Sequence, residues 1–138
     1  KRPYDIDIFL STLLFDALIG NHDRHGRNLG FIIKPKNTIL SPIYDNVSYL
    51  SLVSGPMLAA DFNPTGRIAT QSTNEPTMIH YVNELKRLGY HDKVNNFFQK
   101  INIAKIEALI DQSFCSDLMK KSMKSLLAKR YQELGNGI

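Results

Sequence analysis

Between Asp5 and Ile19 the only polar residues are Asp7, Ser11, Thr12 and Asp16; Ile6, Ile8, Phe9, Leu10, Leu13, Leu14, Phe15, Ala17, Leu18 and Ile19 cover the rest of the surface such a helix would present. A helix that is apolar nearly all round has to be buried on most sides. It must therefore be a central element, and the remaining chain has to supply its cover. Gly20 is suited to end it, since glycine takes positive φ without penalty. With 138 residues, 43% of them apolar, the chain can build one real core but hardly two. A single domain over residues 1–138 is expected, with the buried helix at 5–20.

Two short apolar or β-branched runs follow, Leu29 to Ile33 and Thr38 to Leu40, joined by Lys34-Pro35-Lys36-Asn37. They read as a small hairpin. Residues 46–74 hold Gly55, Pro56, Pro64 and Gly66 among many Ser, Thr and Asn with no sustained periodicity. They are expected to form a long loop, which in a compact domain is usually functional or mobile. Residues 75–138 return to helix. Pro76 suits a first turn, and Met78, Ile79, Tyr81, Val82, Leu85 and Leu88 give the period before Gly89. Further helices are expected near Asp92 to Lys100, Asn102 to Asp111 and Ser116 to Leu134. In the last, Leu118, Met119, Met123, Leu126, Leu127 and Tyr131 would face inward, with Lys120, Lys121, Lys124, Lys129 and Arg130 on a solvated face. Cys115, the lone cysteine, lies in a helical pattern beside Phe114, excludes an intrachain disulfide and reads as a structural thiol of a reducing compartment.

A net charge of +4 and a pI near 9.2 suit an anionic ligand such as a nucleotide. No stripe of Lys and Arg interleaved with aromatics appears, so direct nucleic-acid binding is not expected. No apolar run approaches the roughly 20 residues of a membrane span, so no membrane partner is expected and the location is read as cytoplasmic. The chain opens on Lys1 and enters a helical pattern almost at once, as a fragment or processed product would.

The chemistry lies between the buried helix and the exit of the hairpin. The run Gly20-Asn21-His22-Asp23-Arg24-His25-Gly26-Arg27-Asn28 precedes the hairpin, and Ser41-Pro42-Ile43-Tyr44-Asp45 follows it. A loop held by a rigid helix at one end and a hairpin at the other can bring Asp23 and Asn28 to one point, and the hairpin can return Asp45 to it. Two carboxylates and an amide are the oxygen donors a magnesium-dependent phosphoryl-transfer site uses. Asn, Asp and Gly also cluster in ordinary turns, but two histidines and two arginines in the same eight residues exceed what a turn requires. Should Asn28 and Asp45 lie more than about 8 Å apart with nothing between them, the metal site would not form and a pure interaction module, docking through the 46–74 loop, would be the better description.

The segment from Leu18 to Leu29, followed by Leu40-Ser41-Pro42-Ile43-Tyr44-Asp45, resembles the catalytic loop and metal-binding segment of the HipA-like serine/threonine kinases, bacterial enzymes often encoded in toxin–antitoxin modules. That family uses an Asp-x-His-x-x-Asn loop and a Pro-x-Tyr-Asp segment. The likeness is dense over residues 13–50 and looser elsewhere, with Asp61-Phe62-Asn63-Pro64 and Glu75-Pro76-Thr77-Met78 adding to it. It implies a mainly α, protein-kinase-like large lobe with a small β-hairpin carrying the metal segment. It also implies Asp23 as catalytic aspartate, Asn28 and Asp45 as the residues that bind Mg2+ and through it ATP, and a protein substrate with a Ser or Thr acceptor. His25, two residues past Asp23, would hydrogen-bond a phosphate or brace the loop. Arg24 and Arg27 would meet phosphates or acidic neighbours, with surface solvation favoured for Arg27.

The chain departs from the family by lacking a strand-borne lysine and a loop to cover the phosphates. The missing lobe is expected from an N-terminal segment or another polypeptide, with an antitoxin as a further partner. Alone, the chain is expected to be weak or inactive, or a catalytically silent binding module. The loop also resembles that of phosphatidylinositol-type kinases, which continue with Asp-Phe-Gly where this chain has Asp45-Asn46-Val47. Gly20-Asn21-His22-Asp23 resembles one metallophosphoesterase motif, but the companion Asp-x-His and Gly-His-x-His motifs are absent.

Overall fold

The computed structural model of the chain describes residues 2–51 and 63–138. Asp61 and Phe62, and with them the middle of the 46–74 loop, lie outside the described residues. The first helix, α1 (Pro3–Ile19), starts with a proline where its missing N–H is not needed and ends at Gly20, whose φ of 71° is left-handed. A Cβ at Gly20 would stand 2.5 Å from Leu126 Cδ2 and 2.9 Å from Pro64 Cγ, so both backbone and space demand glycine there.

Strands β1 (Phe31–Lys34) and β2 (Asn37–Leu40) pair antiparallel with Lys34 opposite Asn37, so Pro35-Lys36 forms a two-residue turn. The strands take in Lys34 and Asn37, which the sequence places in the turn, and Leu29 and Gly30 fall before them. Pairing still continues past the strand ends, because Ser41 N–H donates to Gly30 O at 2.9 Å. The hairpin stands out from the body, with Phe31 and Ile33 largely exposed.

Four helices follow: α2 (Met78–Arg87), α3 (His91–Lys100), α4 (Ile103–Gln112) and α5 (Asp117–Asn136). Asn102 and Ser116 cap α4 and α5 by accepting from the backbone N–H groups of Lys105 and Met119. The core is built where α1 meets α2, α3 and α5. Leu14, Leu18, Met78, Val82 and Leu134 are wholly buried there, each contributing about 1.5–3 kcal/mol of apolar transfer. A smaller cluster of Leu50, Met123 and Leu126 attaches the short turn at Tyr49–Ser51 to α5. Among the described residues no helix is long and apolar enough to cross a membrane.

Several local expectations are corrected. Arg130 is wholly buried rather than on the solvated face of α5. It falls on the same stripe as Met123, Leu127 and Leu134, so the helical period outranks its charge; its Nη groups donate to Asn63 Oδ1 at 2.8 Å, Pro64 O at 2.7 Å and Glu133 Oε2 at 3.2 Å, while its Nε finds no partner among the described residues. Leu118 is exposed instead of inward. Pro76 lies ahead of α2, whose first turn begins after Thr77, while Leu88 falls past its end and is half exposed. Cys115 sits in the bend between α4 and α5, not in a helix, against the Leu50 cluster, and Phe114 is fully exposed.

Candidate active site

The site is built on a carboxylate that α1 carries into the interior. Asp16 is 3% exposed. Arg24, equally buried, grips it with two donors, Nε to Oδ2 at 2.5 Å and Nη2 to Oδ1 at 3.2 Å. Asn21 Nδ2 and Asn46 Nδ2 donate to the same Oδ1 at 3.0 and 2.9 Å. A charge taken out of water needs this kind of pairing and saturation. The remaining guanidinium donors reach backbone: Nη1 donates to Tyr44 O at 2.7 Å and to Asn28 O at 3.5 Å, and Nη2 to Asp45 O at 3.5 Å. One side chain thus ties α1 to both segments that carry candidate functional residues.

Asn21 works the same junction from the other side. Its Oδ1 accepts from Asp23 N–H at 3.0 Å, fixing the turn that presents Asp23, and its Nδ2 also donates to Asp45 O at 3.1 Å. Asp45 has φ 62°, and among the described residues no other non-glycine residue has positive φ. Such a backbone is uphill for any residue with a Cβ, and Asn21 and Arg24 hold it through the Asp45 carbonyl. The result faces the Asp45 side chain to Asn28, whose Nδ2 donates to Asp45 Oδ2 at 2.8 Å while its Oδ1 accepts from His25 N–H at 3.2 Å. Asn28 and Asp45 therefore meet directly across 17 residues of sequence. Tyr44 Oη donates to Arg27 O at 2.9 Å and closes the hairpin exit onto the loop.

His22 braces the loop against residues 63–67. Its Nδ1 lies 2.9 Å from Thr65 O, and Arg67 Nη2 lies 3.3 Å from its Nε2. A carbonyl only accepts and a guanidinium only donates, so Nδ1 carries the proton and Nε2 accepts. Arg67 Nε also donates to His22 O at 3.1 Å, and the ring lies 5.1 Å from that of Tyr49. Between these groups is a cleft of about 180 Å³ lined by Asn21, His22, Asp23, Asp45, Val47 and Tyr49. The Asp23 side chain is 68% exposed, open to whatever enters. His25 does not line the cleft; its Nε2 stands 3.8 Å from Asp23 Oδ1, at the flank of that carboxylate. Arg27 is exposed, and Arg24 meets the acidic neighbour.

Residues 1–122 match the HipA-like C-terminal domain family. The chain belongs to that family. It is also 37% identical over 73 residues to a Sinorhizobium fredii protein that carries the name of a kinase, Y4dM; the aligned part is 51% of this chain and 18% of that protein. Its fold is similar to that of the Helicobacter pylori proinflammatory kinase CtkA, with a TM-score of 0.73 and 20% identity over 95% of this chain and 51% of the solved one. This HipA-like domain thus spans about half the length of that kinase, and its mainly helical body with a two-stranded antiparallel sheet is a kinase-like fold.

The oxygens of this HipA-like domain that suit a hard divalent cation are the Asp23 and Asp45 carboxylates on the cleft, with Asn28 beside Asp45 turning its Nδ2 to that carboxylate and its Oδ1 to the His25 N–H. Among the described residues no cluster of three or more His, Cys, Asp or Glu forms a cage. A small hard cation can be held by one or two carboxylates and completed by water and phosphate oxygens. Sequence reasoning missed Asp16, Asn21, Asn46 and the His22 to Thr65 bond. A signal for Asp16 was present: it is the carboxylate flanked by Leu13, Leu14, Phe15, Ala17 and Leu18 near the end of a helix that has to be buried, where a charge needs a cationic partner, and Arg24 follows eight residues later.

Proposed function

We propose that this HipA-like domain is the catalytic lobe of a Mg-ATP-dependent serine/threonine protein kinase, with the nucleotide-clamping half supplied by a segment outside these residues or by a second polypeptide. The observation that carries the reading is the 2.8 Å contact of Asn28 with Asp45, beside a cleft that Asp23 and Asp45 both line. Membership of the HipA-like family and the kinase-like fold support it.

Asp23 would accept a hydrogen bond from the acceptor hydroxyl, orient it and take its proton. Its exposure and the Asn21 bond that fixes its backbone suit that task. Asn28 and Asp45 would hold the magnesium ion. When bound, the metal neutralises charge on the phosphate oxygens, and positioning supplies much of the remaining rate, since phosphoryl transfer asks for alignment rather than covalent help. His25 would steady Asp23 from its flank. The same family reading makes the natural partners a protein with a Ser or Thr acceptor and an antitoxin.

The test is Asp23→Asn in the full-length protein. Radiolabel transfer from ATP to a serine or threonine substrate should fall about 10²–10⁴-fold, the usual share of a positioned general base, with the circular dichroism spectrum and unfolding midpoint retained. Unchanged transfer would remove Asp23 from its role.

A further inference from the structure

Asp16 and Arg24 form a buried ion pair that no packing requirement explains. Burying two charges is rarely a gain in stability, and an apolar pair of similar volume would fill the same space as well or better. An apolar pair could not do what the spare donors of Arg24 do. They reach three carbonyls, those of Asn28, Tyr44 and Asp45, on two segments 16 residues or more apart in sequence. The last of these carbonyls belongs to the one described non-glycine residue with a left-handed backbone. Asp16 in turn fixes the guanidinium plane from below and takes Asn21 and Asn46, the first residue of the loop and the residue after Asp45.

Resting on the kinase reading above, we infer that Asp16 and Arg24 are positioning residues that hold Asp45 in its strained conformation and so aim its carboxylate at Asn28. Neither touches the reacting groups. Their effect passes through the backbone: relax φ at Asp45 toward an ordinary value and its side chain leaves Asn28, while Asp23 keeps its own bond to Asn21. The inference therefore predicts a selective loss. Metal affinity should fall while the acceptor side of the cleft is spared.

Arg24→Lys in the full-length protein separates this from a structural role. Lysine keeps a cation beside Asp16 but is a single compact charge without the fork needed to span Tyr44 O and Asp45 O. Calorimetric titration of Mg2+ in the presence of a non-hydrolysable ATP analogue should show affinity weakened about 10- to 100-fold, the worth of two lost hydrogen bonds. The amide resonances of Asp45 and Asn46 should shift, the Mg2+ concentration for half-maximal transfer should rise in step, and the KM for the acceptor should stay within about twofold. If Arg24→Lys fails to fold, Asn46→Ala, at an exposed residue, removes one donor from Asp16 and should weaken Mg2+ about two- to tenfold with the same amide shifts. A folded variant with wild-type Mg2+ affinity and unshifted Asp45 would overturn the inference and leave the kinase reading standing. A wild-type protein that neither binds Mg2+ nor transfers phosphate would overturn both.

Discussion

Two arginines lie buried in this domain, and they are held differently. Arg24 faces a carboxylate as deeply buried as itself, the Asp16 side chain being 4% exposed, only eight residues away in sequence. Arg130 pairs with Glu133 on its own helix, which is 23% exposed, and its strongest bonds go to Asn63 and Pro64, more than 60 residues away. Burial pulls the Arg130 guanidinium below its ordinary range, with the Glu133 charge opposing. Each arginine ties a loop to a helix. Arg24 ties the loops that carry Asp23, Asn28 and Asp45, whereas Arg130 ties the segment behind them, whose Thr65 and Arg67 meet His22. The difference teaches that the polar interior of this domain is graded: a fully compensated pair stands under the site, and a partly solvated one stands under its support.

Loss of each cation should therefore have unequal effects. Arg24→Met leaves the Asp16 charge buried with only amide donors, which should destabilise the fold by about 3–5 kcal/mol in urea unfolding. Arg130→Met leaves Glu133 free to turn to water and forfeits bonds to Asn63 and Pro64, for about 1–3 kcal/mol. Equal losses would break the comparison, because they would mean that Glu133 is as poorly solvated as Asp16.

The smallest effect concerns Tyr81, which lies between the two regions. It is 3% exposed, and burial raises its phenol well above the ordinary 10.0, with the Ile68 backbone opposing and the Asp16 charge adding. The folded phenol keeps its proton where the unfolded one has lost it, so this stability is complete below pH 10 and falls as pH rises beyond it. Tyr81→Phe should leave stability between pH 6 and 9 within about 1 kcal/mol, and flatten the alkaline decline by up to about 1.4 kcal/mol per pH unit above 10. An alkaline limb identical in the variant would show that another group governs it.

Much of this domain was legible before the structure. The central helix followed from an apolar surface that only burial satisfies, and the hairpin from two short runs about a proline turn. Asp23, Asn28 and Asp45 stood out by residue type and spacing, and the structure brings Asn28 and Asp45 into contact. Two local expectations failed for different reasons. Charge alone points Arg130 to solvent although its helical position places it with Met123, Leu127 and Leu134, and the helical pattern around Cys115 is broken by the bend between Gln112 and Asp117.

The sequence by itself determined the elements, because periodicity and chain punctuation act locally, and it determined the chemistry of the loop, because residue types declare what they can donate or bind. Only the tertiary structure decided which charges are buried and what satisfies them. Arg24 to Tyr44, Asn21 to Asp45, His22 to Thr65 and Arg130 to Asn63 are bonds between residues 20 to 67 apart. Such partners cannot be read along a chain. They exist because desolvated charge and orphaned carbonyls must be matched by whatever the completed fold brings within hydrogen-bond reach.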